Sequence, residues 1–281
     1  IGVAFAPSDL TQAFIESGQS SDLYKVVPFC LLDGINDAGL ICEINVVPTG
    51  DKGLTFGSNP DGEDLFAMMI PRYGLDNAGS VDEAISLLQS RNIFCAYSDA
   101  MKQEFHFMLS DGTKTAVVEF INNEMTVVNQ FVADKPIVTN FYLDGYDGTR
   151  ASLTPYAMGI ERQAVLTDGY QAVNSENAMV DLMQSVRYTK AYSLSENPLW
   201  CSEFAGNWKT WGNLTKDAPT EDYLPIMQHY ANEFAHRKRN GVTWQTVHTS
   251  VYNISDKKLI VIPQETGQRF VFRLNGGDSS G

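Results

Sequence analysis

The sequence predicts an α+β fold in which antiparallel sheets are covered by helices. Three observations carry this. The stretch Phe105 to Asn140 is a run of short apolar segments closed by polar turns. A hairpin pattern precedes it, and strand patterns return at the C-terminal end after two blocks of helical periodicity. Strands, helices, strands, helices and strands in that order fit sheets with helices packed outside.

The elements follow in order. Residues 1–24 read as a loop or exposed arm with short helical pieces. Tyr24 to Leu32 reads as a strand, with Pro28 marking an edge or a bulge. Asp33 to Gly39 reads as a turn, and Leu40 to Val47 as the partner strand. The connection Thr49 to Gly62 is rich in Gly, Asp, Asn and Pro, and suits either a pocket rim or a plain surface loop. Asp64 to Tyr73 reads as a helix ended or kinked by Pro71. Ser80 and Glu83 form a capping box, and the helix they open runs through VDEAISLLQS to about Arg91-Asn92.

Phe105 to Leu109, Thr115 to Ile121 and Met125 to Val128 form a three-strand meander with turns at Ser110-Asp111-Gly112-Thr113 and Asn122-Asn123. Ile137 to Asn140 reads as a further strand ending on an amide side chain. Such an amide either donates its N–H into a cleft as an oxyanion donor or simply closes a turn. Helical patterns cover Ala157 to Ala172, Ser175 to Tyr188 and Glu221 to His236. Strands return at Thr243 to Asn253, Lys258 to Ile262 and Phe270 to Leu274, and 276–281 reads as a flexible tail.

The 281 residues suit one domain, and 43% hydrophobic content suffices for a substantial core. The net charge of −14 repels phosphate backbones, so nucleic acid is not an expected partner. The basic cluster His236 to Arg239 reads as a charged helix C-terminus. No apolar run approaches the roughly 18–20 residues of a membrane span. Cys30, Cys42, Cys95 and Cys201 form no C-x-x-C pair and no zinc-like spacing with His, so neither a metal nor a cofactor is expected. Disulfides are compatible with the count but not demanded by it, and a homo-oligomer is likewise compatible.

Four stretches give the chain a family resemblance. Asp33-Gly34-Ile35-Asn36-Asp37-Ala38-Gly39-Leu40 is similar to a D-G-x-N-E-x-G-L hairpin. Phe105 to Asp111 followed by Val117-Val118-Glu119 is similar to an H-W-x-x-x-D…V-V-E meander. Val138-Thr139-Asn140 is similar to an L-T-N strand end, and Thr249 to Tyr252 with the Leu259 strand to a C-terminal Y-T-S hairpin. Together they resemble the choloylglycine hydrolases, which include bile salt hydrolases and penicillin V acylases. These are N-terminal-nucleophile hydrolases with an αββα sandwich that cleave linear amide C–N bonds. The resemblance implies that Asn140 is an amide close to the nucleophile, that Asn45 or its neighbour Val46 stands at an oxyanion-hole position, and that Arg162 opens a helix beside the site. Taken alone, Asn45 suits a strand cap, and Arg162 suits a surface pair with Glu161 or Asp168.

The chain departs from the family pattern at its start. Ile1 is not a nucleophile, and no G-R-x-x-D sequence occurs. The expectation is therefore a single domain over 1–281 that lacks the N-terminal strands, with a cysteine nucleophile supplied by an upstream segment. Its own amine would act as base, which an internal cysteine cannot imitate. The short path from Asn140 to Arg162 implies a shortened assembly loop. The implied substrate is a small N-acyl amide: a conjugated bile salt, penicillin V or an N-acyl amino acid. The rivals are a non-catalytic binding protein of the same fold and a related amidase acting on N-acyl amino acids or lactones.

Overall fold

A computed structural model describes residues 1–4, 27–47, 54, 57–95, 105–131, 134–144, 159–186, 248–264 and 266–274. The expected helix at 221–236 and the irregular stretch 190–219 lie outside these residues. The chain divides into two compact units. The first takes Ile1–Gln130, Tyr252–Leu259 and Val271–Gly281, and the second takes Phe131–Val251 and Ile260–Phe270.

The first unit is built on a six-stranded antiparallel sheet. Its strands are β1 (Gly2–Ala4), β2 (Leu31–Ile35), β3 (Ile41–Val46), β6 (Phe105–Ser110), β7 (Thr115–Ile121) and β8 (Glu124–Val128), adjacent in that order. A separate parallel pair joins β4 (Glu63–Phe66) to β5 (Arg91–Phe94). The helices are α1 (Ile70–Asn77) and α2 (Val81–Gln89). The meander stands where its periodicity placed it. Its second turn is tight because Asn122 and Asn123 both take positive φ, which matches the right-handed twist of the flanking strands.

One face of this sheet is the core. Cys42, Phe107, Leu109, Val118 and Phe120 pack with Ile70, Val81, Ala84 and Leu88 of the helices and Ile93 of β5. Phe107 and Phe120 meet edge to face at 6.2 Å. Each such side chain, fully buried, contributes about 1.5–3 kcal/mol.

Three expectations are corrected. Asp64 to Tyr73 is not one helix. Glu63–Phe66 is a strand, Ala67–Met69 a 3-10 turn, and α1 starts at Ile70. Pro71 therefore opens the helix, where its missing N–H costs nothing. The first hairpin strand runs Leu31–Ile35, after a 3-10 turn at Val27–Phe29, so Asp33 and Gly34 lie in the strand and not in the turn. Finally, residues 137–140 form no strand, and side-chain bonds described below hold the segment.

The capping box at α2 forms, with a shift. Ser80 Oγ accepts from the Glu83 amide at 3.3 Å, while the Glu83 carboxylate reaches the amide of Gly79 at 2.7 Å. A second cap comes from the β6–β7 turn. Asp111 accepts from the Val81 amide at 3.0 Å, from the Thr113 amide and hydroxyl at 2.9 and 2.7 Å, and from the Lys114 amide at 2.9 Å. Partial burial alone would raise its pKa, but these donors outweigh it and hold the carboxyl well below the usual range. A depressed folded pKa stabilises above the unfolded value, about 3.9, and the gain is lost as pH falls toward the folded value. Asp111→Ala is expected to cost about 1–2 kcal/mol at pH 7. In urea titrations the gap from the parent protein should shrink between pH 5 and pH 2; a gap independent of pH would contradict the charged cap.

In the second unit, α3 (Gly159–Tyr170) and α4 (Glu176–Ser185) follow the expected helical stretches. Ser175 caps α4 by accepting from the Ala178 amide at 3.2 Å. The C-terminal strands β9 (His248–Asn253), β10 (Lys258–Pro263) and β11 (Phe270–Arg273) form a sheet in the order β11-β10-β9. The α+β class with antiparallel sheets is thus the one the sequence predicts, and the β4–β5 pair is a parallel exception.

Candidate functional site

The segment before and after Asn140 has no ladder to fix it, so side chains do the work. Thr139, buried, donates its hydroxyl to the Gly159 carbonyl at 2.7 Å. Lys135 Nζ donates to the Thr167 carbonyl at 2.6 Å. The start of α3 is pressed against Asn140, because a Cβ on Gly159 would stand 3.2 Å from the Asn140 amide nitrogen and 3.3 Å from its carbonyl oxygen. Only glycine allows that approach without displacement.

This brings Arg162, in the first turn of α3, onto Asn140. Its Nη1 donates to Asn140 Oδ1 at 3.0 Å. The guanidinium has donors only, so the bond fixes which end of the amide faces it. Oδ1 faces Arg162, so Nδ2 is the donating end of the amide.

Asn45 stands in the first unit, on β3, with Nδ2 donating to Glu43 Oε1 at 2.8 Å. It is opposite His106 on β6, and His106 is opposite Glu119 on β7. His106 and Glu119 are fully enclosed, with Nδ1 and Oε1 3.2 Å apart. The sequence reading did not single out this buried pair. A signal existed: with Ser110 and Thr115 closing the β6–β7 turn, the antiparallel register pairs 106 with 119. Asp33, on β2, receives the Tyr252 hydroxyl. A cleft of about 800 Å³ in this unit is lined by Leu31, Ile35, Asn36, Arg72, Leu75 and Asp76 among others, and Asn45 is not in its lining.

The Cys30 and Cys42 thiols are not activated. Cys42, on the core face of β3, is fully enclosed, and its thiol is pushed up by burial and then by Glu43. Cys30 is pushed up by burial as well. Cys30, Cys42 and Cys95 form no disulfide. Cys201 lies outside the described residues. No group of three or more His, Cys, Asp or Glu able to hold a metal occurs among the described residues. No described helix is long and apolar enough to cross a membrane.

The family model for acyl-coenzyme A:6-aminopenicillanic acid acyl-transferase matches residues 10–217. The chain belongs to that family. Membership agrees with the choloylglycine hydrolase family seen in the motifs. Among solved structures, the acyl-transferase-family chain is similar to a mutant form of conjugated bile acid hydrolase from Clostridium perfringens. The identity is 16% over 89% of this chain and 74% of that one, with a TM-score of 0.48. It is also similar to penicillin V acylase from Agrobacterium tumefaciens, 15% identical over 88% of this chain and 67% of that one, with a TM-score of 0.45. No curated relative matches by sequence.

Proposed function

We propose that the protein hydrolyses a linear, non-peptide amide by acyl transfer through a cysteine nucleophile that bears its own free amine. The thiolate attacks the amide carbonyl, the amine leaves with a proton, and water releases the acid from the thioester. The observation that carries this is the family match over 10–217 together with the Arg162–Asn140 bond, which commits Oδ1 of Asn140 and makes Nδ2 its donor end. A donor aimed at a developing oxyanion contributes on the order of 3 kcal/mol to the barrier. Asn45, whose Nδ2 donates to Glu43 at 2.8 Å, is assigned the same kind of role. Arg162 acts on Asn140 and so is a positioning residue. The family's αββα sandwich belongs to the same proposal.

Cys30 and Cys42 support a nucleophile elsewhere, because a thiol whose pKa is raised is little ionised at neutral pH. The substrate class is an N-acyl compound such as penicillin V, a conjugated bile salt or an N-acyl amino acid. No cofactor takes part.

The test uses the protein as its own cell makes it. Penicillin V, a glycine-conjugated bile salt, an N-acyl amino acid and an N-acyl lactone are incubated with it, and acid release is followed. Turnover of at least one amide, abolished by iodoacetamide, is expected. Turnover that survives alkylation would defeat the cysteine account. Saturable binding of these compounds without turnover would favour a non-catalytic binding protein.

A further inference from the structure

The face of the six-stranded sheet opposite the core changes character along β6 and β7. One row across the strands is Asn45, His106, Glu119 and Thr126. The next row is Glu43, Met108, Val117 and Val128. Within one register step, an enclosed imidazole and carboxylate give way to a thioether and an isopropyl group. The polar pair is therefore confined to the row that holds Asn45.

Stability alone does not account for the pair. Taking an imidazole and a carboxylate out of water is costly, and apolar residues of similar volume are commonly at least as stable in such a place. Met108 opposite Val117 is the apolar alternative, realised one step away. The pair does give rigidity. With Glu119 as a carboxylate, His106 Nδ1 is the donor in the 3.2 Å contact, so the ring is held in one orientation. Nε2 is enclosed and has no hydrogen-bond partner among the described residues.

Asn45 is the residue directly across β3 from this ring, and directly opposed side chains have Cβ atoms about 4.5–5.5 Å apart. A fixed ring there limits the Asn45 side chain sterically. On its own strand, Glu43 Oε1 holds one N–H of the amide at 2.8 Å. We propose that His106, anchored by Glu119, is a positioning residue that fixes the orientation of the Asn45 amide. The ring restricts the amide from the β6 side while Glu43 holds it from its own strand. The consequence for turnover rests on Asn45 acting as an oxyanion donor.

The experiment replaces both partners at once, His106→Phe with Glu119→Leu, so that no buried charge is left alone. The side-chain amide resonances of Asn45, assigned with Asn45→Asp, are compared by nitrogen–proton NMR, and kcat and KM are measured on the amide the parent protein hydrolyses. A folded double variant with displaced Asn45 amide resonances, kcat lowered about 10–100-fold and KM little changed is expected. Unchanged amide resonances would overturn the proposal, and so would displaced resonances with kcat kept within about twofold. If the double variant does not fold, Glu119→Gln, which keeps a neutral hydrogen-bonding partner, is judged by the same two readouts. A parent protein that turns over no amide defeats the proposed function, while the amide resonances still decide whether His106 positions Asn45.

Discussion

Asn140→Ala is expected to lower kcat by about 10²–10³ with little change in KM, since an oxyanion donor acts chiefly when the carbonyl oxygen has become an anion. The amide is held by Arg162 through Oδ1 at 3.0 Å, so the substitution removes the donor and the acceptor together. Arg162→Lys provides the companion measurement. A lysine keeps the charge but not the planar, fixed donor, so the Asn140 amide is no longer held in one orientation, and kcat should fall by less than for Asn140→Ala. If Asn140 only closes a turn, the pattern reverses: the melting temperature falls and kcat in the folded fraction stays near normal. A hydrogen bond is worth about 1 kcal/mol in stability, so a melting shift of several degrees with intact kcat would sink the catalytic assignment. Both numbers come from the same preparation.

Asn140 is a candidate from sequence because a T-N pair after a meander is a local pattern. Its bond to Arg162 was not legible. It spans 22 residues and depends on α3 starting close enough to touch the Asn140 backbone, which the missing Cβ of Gly159 allows. Local periodicity carries no information about such an approach. The β6–β8 meander was legible for the opposite reason, since each turn joins neighbours in sequence. Residues 63–66 show where a short stretch misleads. Strand and helix are hard to separate over four residues, and the partner that decides the matter, β5, lies 28 residues ahead. Gly34 shows another limit. Its company suggests a turn glycine, yet it sits inside β2, where a Cβ would come within 2.7 Å of Leu75 Cδ1. Glycine there serves close packing of α1 on the sheet, and sequence alone does not distinguish that use from a turn.

Asn36→Ala is expected to cost about 2–4 kcal/mol of folding stability, because one side chain makes four hydrogen bonds worth about 1 kcal/mol each. Its Nδ2 donates to the Leu75 and Ala78 carbonyls at 2.9 and 2.7 Å, the unsatisfied C-terminal end of α1. Its Oδ1 accepts from the Ala38 and Leu40 amides at 3.1 and 3.0 Å, which closes the β2–β3 hairpin over Gly39 at φ +94°. Asn36 thus ties the hairpin to the helix packed on it, and its place in the D-G-I-N motif is structural. Asn36→Asp is the sharper variant. It has nearly the same shape and can still accept from the two hairpin amides, but it sets a carboxylate against two carbonyl oxygens with no proton to share. It should be at least as destabilising as alanine at pH 7 and recover as the carboxyl is protonated at low pH, since a carboxylate facing acceptors has its pKa raised. Chemical denaturation of both variants at pH 7 and pH 4 measures this. A loss under about 1 kcal/mol for Asn36→Ala would mean that water replaces these bonds at little cost, and that the hairpin is held to α1 by apolar packing alone.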